Sequence, residues 1–125
     1  MGAKKVLLAG GGTARHVEPA LAVGRWIIEH YPATTIEFLG TKSGLEKDLV
    51  PAAGFILRTI EKAPLPRRLN AALIQWPSKF VLSLIQTWKA LSGVDLLIGF
   101  GGYVSSSAYI CAKLRRIPII LHEAN

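Results

Sequence analysis

Twice in this chain of 125 residues a short apolar run ends in glycines and gives way to a helical pattern. Residues 4–9 run into Gly10-Gly11-Gly12, and residues 95–98 run into Gly99-Phe100-Gly101-Gly102. A buried strand, a tight turn and a helix make up the repeating unit of a parallel sheet, because a parallel connection must cross back over one face. The rest of the chain continues the alternation. Glu18 and Pro19 are expected to open the first helix, since proline suits a first turn and an acid suits the positive helix end. Leu21, Trp26, Ile27 and Ile28 are expected on its inner face, and Pro32 stops it. Residues 35–39 read as a second strand. Ser43 and Glu46 read as a capping box for a helix that Gly54 closes. Residues 55–60 read as a third strand and 61–68 as a surface loop. Residues 69–91 read as helical, interrupted near Pro77 with Ser78 capping a second segment. A helix over 103–114 and a fifth strand over 118–121 follow, leading to His122-Glu123-Ala124-Asn125. The pattern is that of a single α/β domain with a mostly parallel sheet.

The length fits one compact domain. Half of the residues are hydrophobic and 18% are charged, which excludes a disordered tail and supports a buried core. The single Cys111 has no internal disulfide partner, which points to a reducing compartment. No uninterrupted apolar stretch is long enough for a transmembrane helix, and the opening residues do not read as a signal peptide. The net charge of +7 suits nucleic acid, anionic lipid or phosphorylated ligands. Its distribution narrows the choice. Arg67, Arg68, Lys79 and Lys89 surround an apolar segment rather than exposed stacking aromatics, so nucleic acid is disfavoured.

Glycine clusters between strand and helix let backbone N–H groups approach phosphate oxygens, and the following helix adds positive potential. In the first cluster Gly10 and Gly12 fit a dinucleotide loop, but Arg15 stands where its third glycine belongs. The acid that would grip a ribose at the end of the second strand is missing; Leu39-Gly40-Thr41 is there instead. No G-K-S/T follows, so a Walker loop is absent too. Two glycine loops at one edge of one sheet suit a diphosphate, and the plain alternative is two unrelated turns. His122-Glu123-Ala124-Asn125 is not a metal motif, as it lacks a second histidine. Its Glu and Asn suit sugar hydroxyls, or a loop brace.

These motifs, in this order, resemble the MurG family of glycosyltransferases. The resemblance rests on residues 11–22, Leu39-Gly40-Thr41 with Glu46 and Leu49-Val50-Pro51, residues 99–105 and residues 118–125. It implies the N-terminal, acceptor-side half of a GT-B enzyme: a Rossmann-like parallel sheet with helices on both faces. It implies transfer of N-acetylglucosamine (GlcNAc) from UDP-GlcNAc to the C4 hydroxyl of lipid I, an undecaprenyl-diphosphate-linked muramyl peptide, at the cytoplasmic side of the plasma membrane. The domain that holds most of the UDP-GlcNAc would lie outside this chain, so the isolated chain is expected to be inactive. No metal or other cofactor is implied. Thr13, Ala14 and Arg15 match a loop that reaches donor and acceptor phosphates, and Asn125 matches a residue that touches the GlcNAc. Gly11, Gly12, Gly101, Gly102, Tyr103 and Ser105 match the acceptor diphosphate loops. His16 matches a histidine important for activity; it is the candidate base or polariser, the residue type having a suitable titration range. Its plain alternative is a cap on the helix start. The family usually has glycine where Arg15 stands. If that position needs a positive φ, arginine strains it, and Arg15→Gly is expected to preserve or improve ligand binding in a two-domain protein.

Trp76, Phe80, Leu84 and Trp88, with Leu73, Ile85 and Leu91, recur at near-helical spacing beside Arg67, Arg68 and Lys79. Tryptophans flanked by bases suit an anionic membrane surface, and the competing reading packs the same residues on the sheet. The resemblance favours the membrane. Two other functions stay open. One is a non-catalytic, membrane-anchoring acceptor subunit completed by a separate donor-binding chain, as in the eukaryotic two-subunit GlcNAc transferase of dolichol-linked glycan synthesis. The other is a generic nucleotide-binding Rossmann domain, disfavoured by the missing acidic ribose residue.

Overall fold

The computed structural model describes residues 4–11, 14–61 and 71–122, and for residues 71–76 and Tyr103 it describes the backbone alone. Five strands, β1 (Lys5–Ala9), β2 (Thr35–Gly40), β3 (Ile56–Thr59), β4 (Leu96–Gly99) and β5 (Ile119–Leu121), form one sheet in the order β3-β2-β1-β4-β5. Every pairing is parallel. The helices are α1 (Ala14–His30), α2 (Glu46–Ala52), α3 (Ala71–Ala90) and α4 (Tyr103–Leu114).

Strand periodicity sorts the core onto two faces. Val6, Leu8, Ile36 and Phe38 meet Val17, Ala20 and Leu21 of α1 and Val50 of α2. Leu7, Ala9, Leu39 and Leu97 meet Leu91 and, from α4, Val104, Ala108, Cys111 and Ala112. Leu7, Leu8, Leu39 and Leu97 are fully buried, each contributing roughly 1.5–3 kcal/mol. The small residues on α4 let that helix lie close to the sheet. The chain steps outward from β1 to β3, then returns to place β4 beside β1. Strand order therefore reverses between β1 and β4, the place where open sheets of this kind bind ligands. Register aligns the strand ends there: Ala9 pairs with both Leu39 and Gly99, and Gly99 pairs with Leu121.

Several local expectations are corrected. Helix α1 opens at Ala14, not at Glu18, so Pro19 lies inside it and deprives one carbonyl of its helical donor. Its buried stripe is Val17, Ala20, Leu21 and Gly24, whereas Trp26 and Ile28 face solvent. Trp26 stacks on His30 with ring centroids 4.0 Å apart. The capping box does not form. Leu45 caps α2 without a side-chain hydrogen bond, the Ser43 hydroxyl lies against that of Thr41, and Glu46 turns inward. Gly54 does close α2, at φ +87°, with the Phe55 N–H donating to the Val50 carbonyl. Helix α3 runs through Pro77 without the expected break.

Candidate functional site at the strand reversal

The carbonyl of Ala9, the last residue of β1, holds the start of the β4 loop in place. It accepts the Phe100 N–H at 2.8 Å and the Ser105 hydroxyl at 2.9 Å. The same hydroxyl lies 2.8 Å from the Gly101 carbonyl. Ser105 is buried, so its hydroxyl is occupied in joining β1 to the β4 loop and does not face the rim.

Gly101 and Gly102 both adopt positive φ, +95° and +88°. A Cβ on Gly102 would lie 2.9 Å from the Gly11 carbonyl oxygen and 3.3 Å from Nδ1 of His16. One on Gly101 would lie 3.2 Å from His16 Nε2. Glycine is thus required here twice over, by dihedral angle and by space. The two glycine loops meet, and the half-buried His16 imidazole lies against both. Its Nδ1 is 3.2 Å from the Gly11 carbonyl oxygen.

Gly10 and Gly11 are themselves buried. Gly11, matched to the acceptor diphosphate loops, thus lies in the floor rather than at the open rim, with the Glu46 side chain packed against it. What α1 presents at the rim is Ala14 and Arg15, both exposed, and His16. Gly102 is exposed and is the N-cap of α4, with no side-chain cap. Two helix N-termini therefore border one rim, where the positive ends of the helix dipoles favour an anion. Beta-strand β5 brings His122 alongside, its N–H donating to Gly99 at 2.8 Å and its ring 5.2 Å from that of Phe100. Gly12, Thr13 and Asn125 lie outside the described residues, as does the side chain of Tyr103. Clefts of about 440 Å³, lined by Arg25, Ile28, Phe55 and Ile56 among others, and of about 620 Å³, lined by Lys5, Arg58, Gln86 and Lys89 among others, open elsewhere and share none of these residues.

Residues 6–125 match the glycosyltransferase family 28 N-terminal domain. This chain belongs to that family. The family 28 domain is 49% identical, over its whole length, to the UDP-N-acetylglucosamine–N-acetylmuramyl-(pentapeptide) pyrophosphoryl-undecaprenol N-acetylglucosamine transferase of Corynebacterium diphtheriae, covering 35% of that protein. The protein of the same name from Thermobifida fusca is 48% identical over 97% of the chain, which covers 32% of it. The chain thus spans about a third of the length of these relatives. Among solved structures, MurG of Acinetobacter baumannii matches with a TM-score of 0.78 at 30% identity, over 96% of this chain and 34% of that one. The kitacinnamycin glycosyltransferase matches at 0.69 with 18% identity, a likeness of fold. The family and the Rossmann-like half of a GT-B fold, both expected from the motifs, are borne out.

Arg15 of this family 28 domain lies in the first turn of α1, and Arg116 is the sole non-glycine residue with positive φ among those described. The strain supposed at Arg15 is absent, because a helical arginine needs no unusual dihedral angle. The expected benefit of Arg15→Gly loses that basis.

The apolar helix is rotated from the expected face. Leu84 is half-buried against the core, Leu91 is fully buried and Phe80 is half-buried. Facing solvent are Val81 (52% exposed), Ile85 (48%) and Trp88 (41%), with Leu82 and Lys79 nearby. The Arg115 guanidinium lies 4.3 Å from the centre of the Trp88 ring. Turned inward are Ser83 and Thr87, whose hydroxyls donate to the Phe80 and Ser83 carbonyls. Two small polar residues thus share the core-facing side with Leu84, while Val81, Ile85 and Trp88 face out. Apolar periodicity missed this, because both stripes of α3 contain apolar residues. Arg67 and Arg68 lie outside the described residues, and so does the side chain of Trp76.

Proposed function

We propose that this chain is the acceptor-side domain of an enzyme that transfers GlcNAc from UDP-GlcNAc to the C4 hydroxyl of undecaprenyl-diphosphate-linked N-acetylmuramyl peptide, a step of peptidoglycan synthesis. The observation that carries the reading is the meeting of His16 with the Gly101-Gly102 turn where strand order reverses. The relatives' names supply the donor and the acceptor.

In the reaction, the acceptor C4 oxygen bonds to the anomeric carbon of GlcNAc while the bond from that carbon to the UDP diphosphate oxygen breaks. The hydroxyl proton needs a base. His16 holds its proton on Nδ1 toward Gly11, which leaves the Nε2 lone pair to receive it. The N-terminal turns of α1 and α4, with Arg15, favour the acceptor diphosphate. Thr13 and Ala14 are assigned to the same loop, and Asn125 to the GlcNAc. A second domain, beyond these residues, completes the donor site.

The outward apolar strip of α3, with Lys79, Lys89 and Arg115 beside it, suits docking on the anionic cytoplasmic leaflet as a peripheral protein. No helix among the described residues is long and apolar enough to cross a membrane.

The test is titration with UDP-GlcNAc and a soluble lipid I analogue, of the chain alone and with a supplied C-terminal domain from a relative. GlcNAc transfer that needs both pieces supports the proposal. No binding of the acceptor analogue by either preparation would reject it.

A further inference from the structure

Glu46 is 1% exposed. Burying a carboxyl group carries a desolvation cost that a leucine or methionine of similar volume would avoid. The chain nevertheless makes room for it three times. A methyl group on Gly11, Gly40 or Gly44 would land on the Glu46 side chain. The Thr41 N–H points at its Oε2 from 3.4 Å, and Glu46 has a further interaction besides. The carboxylate therefore fills the space between three backbone segments: the turn after β1, the end of β2 and the lead into α2.

Of these contacts, the one with Gly11 matters most. The Gly11 carbonyl is the atom that His16 Nδ1 approaches at 3.2 Å, and Gly102 packs against the same oxygen. Glu46 thus lies under the floor on which the imidazole and the second glycine loop rest.

We infer that Glu46 is a positioning residue, a buried brace that fixes Gly11 and through it the orientation of the His16 ring and the Gly102 turn. This rests on the reading of His16 and Gly101-Gly102 as the reaction rim. The role belongs to the shape and acceptor oxygens of the side chain. Its charge is not the working part, since a negative group near a diphosphate would by itself oppose binding.

The experiment compares wild type, E46A, E46Q and G44A. Gly44 is outside the rim, and a methyl there displaces Glu46 without touching His16. In the 125-residue chain, thermal melting and the His16 ring-nitrogen and Gly102 amide NMR signals are recorded. In the enzyme reconstituted with a C-terminal domain, kcat and the KM for UDP-GlcNAc are measured. E46A and G44A are expected to move both NMR signals and lower kcat about tenfold or more, with KM changed less than about twofold. E46Q, which keeps the shape and a carbonyl acceptor, is expected to stay near wild type. Unmoved His16 and Gly102 signals in G44A and E46A, with only a lower melting temperature, would overturn the inference. Damage in E46Q equal to that in E46A would overturn it too, by making the charge the working part. If E46A does not fold, G44A and E46Q decide. If the reconstituted wild type is inactive, the proposed function fails, and the NMR signals alone judge the brace.

Discussion

The His16 imidazole and the Gly11 carbonyl oxygen are 3.2 Å apart. A carbonyl only accepts, so Nδ1 must carry the ring proton for this hydrogen bond to exist. In a neutral ring this leaves the lone pair on Nε2, beside the Gly101-Gly102 turn. Under the proposed function, one backbone atom in the floor of the candidate site thus decides which nitrogen serves as the base.

Replacing His16 by alanine is therefore expected to lower kcat about 10²–10⁴-fold in the reconstituted enzyme. The KM for UDP-GlcNAc should change little. Steady-state kinetics check this, and a large rise in KM with kcat preserved would make His16 a binding group instead.

Gly102 and Gly54 offer a controlled comparison. Both have positive φ, +88° and +87°, but a Cβ on Gly54 meets nothing within 4 Å while one on Gly102 meets the Gly11 oxygen at 2.9 Å. Gly54→Ala should cost about 1–2 kcal/mol from backbone strain alone. Gly102→Ala should cost more, by about 1 kcal/mol of overpacking. Urea denaturation of the two variants measures the difference. Equal costs would show that the loops do not press together.

The acid limb of stability should carry the signature of Glu37. Burial pushes its carboxyl up, but hydrogen bonds and charge from Arg58 and Lys5 outweigh this and hold it below the ordinary value of 4.5. A depressed carboxylate stabilises the fold at pH above its unfolded value, and that stability is lost as pH falls through the folded value. Arg58 is half-exposed, so solvent screening limits the effect to about 1 kcal/mol or less. Melting temperatures measured downward from pH 6 should fall less steeply below pH 4.5 in Glu37→Gln than in wild type. Parallel curves would remove Glu37 from the account.

The outward strip of α3 predicts lipid binding. The chain should cosediment with anionic vesicles at low salt, less so as salt rises, and Ile85→Glu should reduce binding at least about fivefold without unfolding the domain. Ile85 is about half-exposed, so the variant tests the surface rather than the core. Unchanged cosedimentation of Ile85→Glu would place the lipid contact elsewhere.

Much of this fold was legible in the sequence, for identifiable reasons. The strands that run into the glycine loops are legible because burial on both faces demands continuous hydrophobic residues. Gly54 announced the end of α2 because few residues tolerate its dihedral angle. The boundary of α1 is not legible, because Pro19 signals a first turn while the helix begins five residues earlier, at Ala14. The two glycine loops were legible as a pair, but not the division of labour between them. Gly11 is floor and Gly102 is rim, which depends on where Phe100 and Glu46 fall in three dimensions. Glu46 itself reads, by spacing, as half of a capping box. Sequence spacing cannot tell an acid that reaches back to a helix end from one that turns inward. A hint existed in Gly40 and Gly44, two residues without side chains shortly before one buried acid.

The claim that the other conclusions depend on is that the rim formed by the α1 N-terminus and the Gly101-Gly102 turn receives a diphosphate. Titration of the ¹⁵N-labelled chain with inorganic pyrophosphate tests it directly. Saturable shifts concentrated at the amides of Arg15, His16, Gly101 and Gly102, weakening with salt, are the predicted result. Shifts absent from those four residues, or spread over the surface lysines and arginines alone, would contradict it.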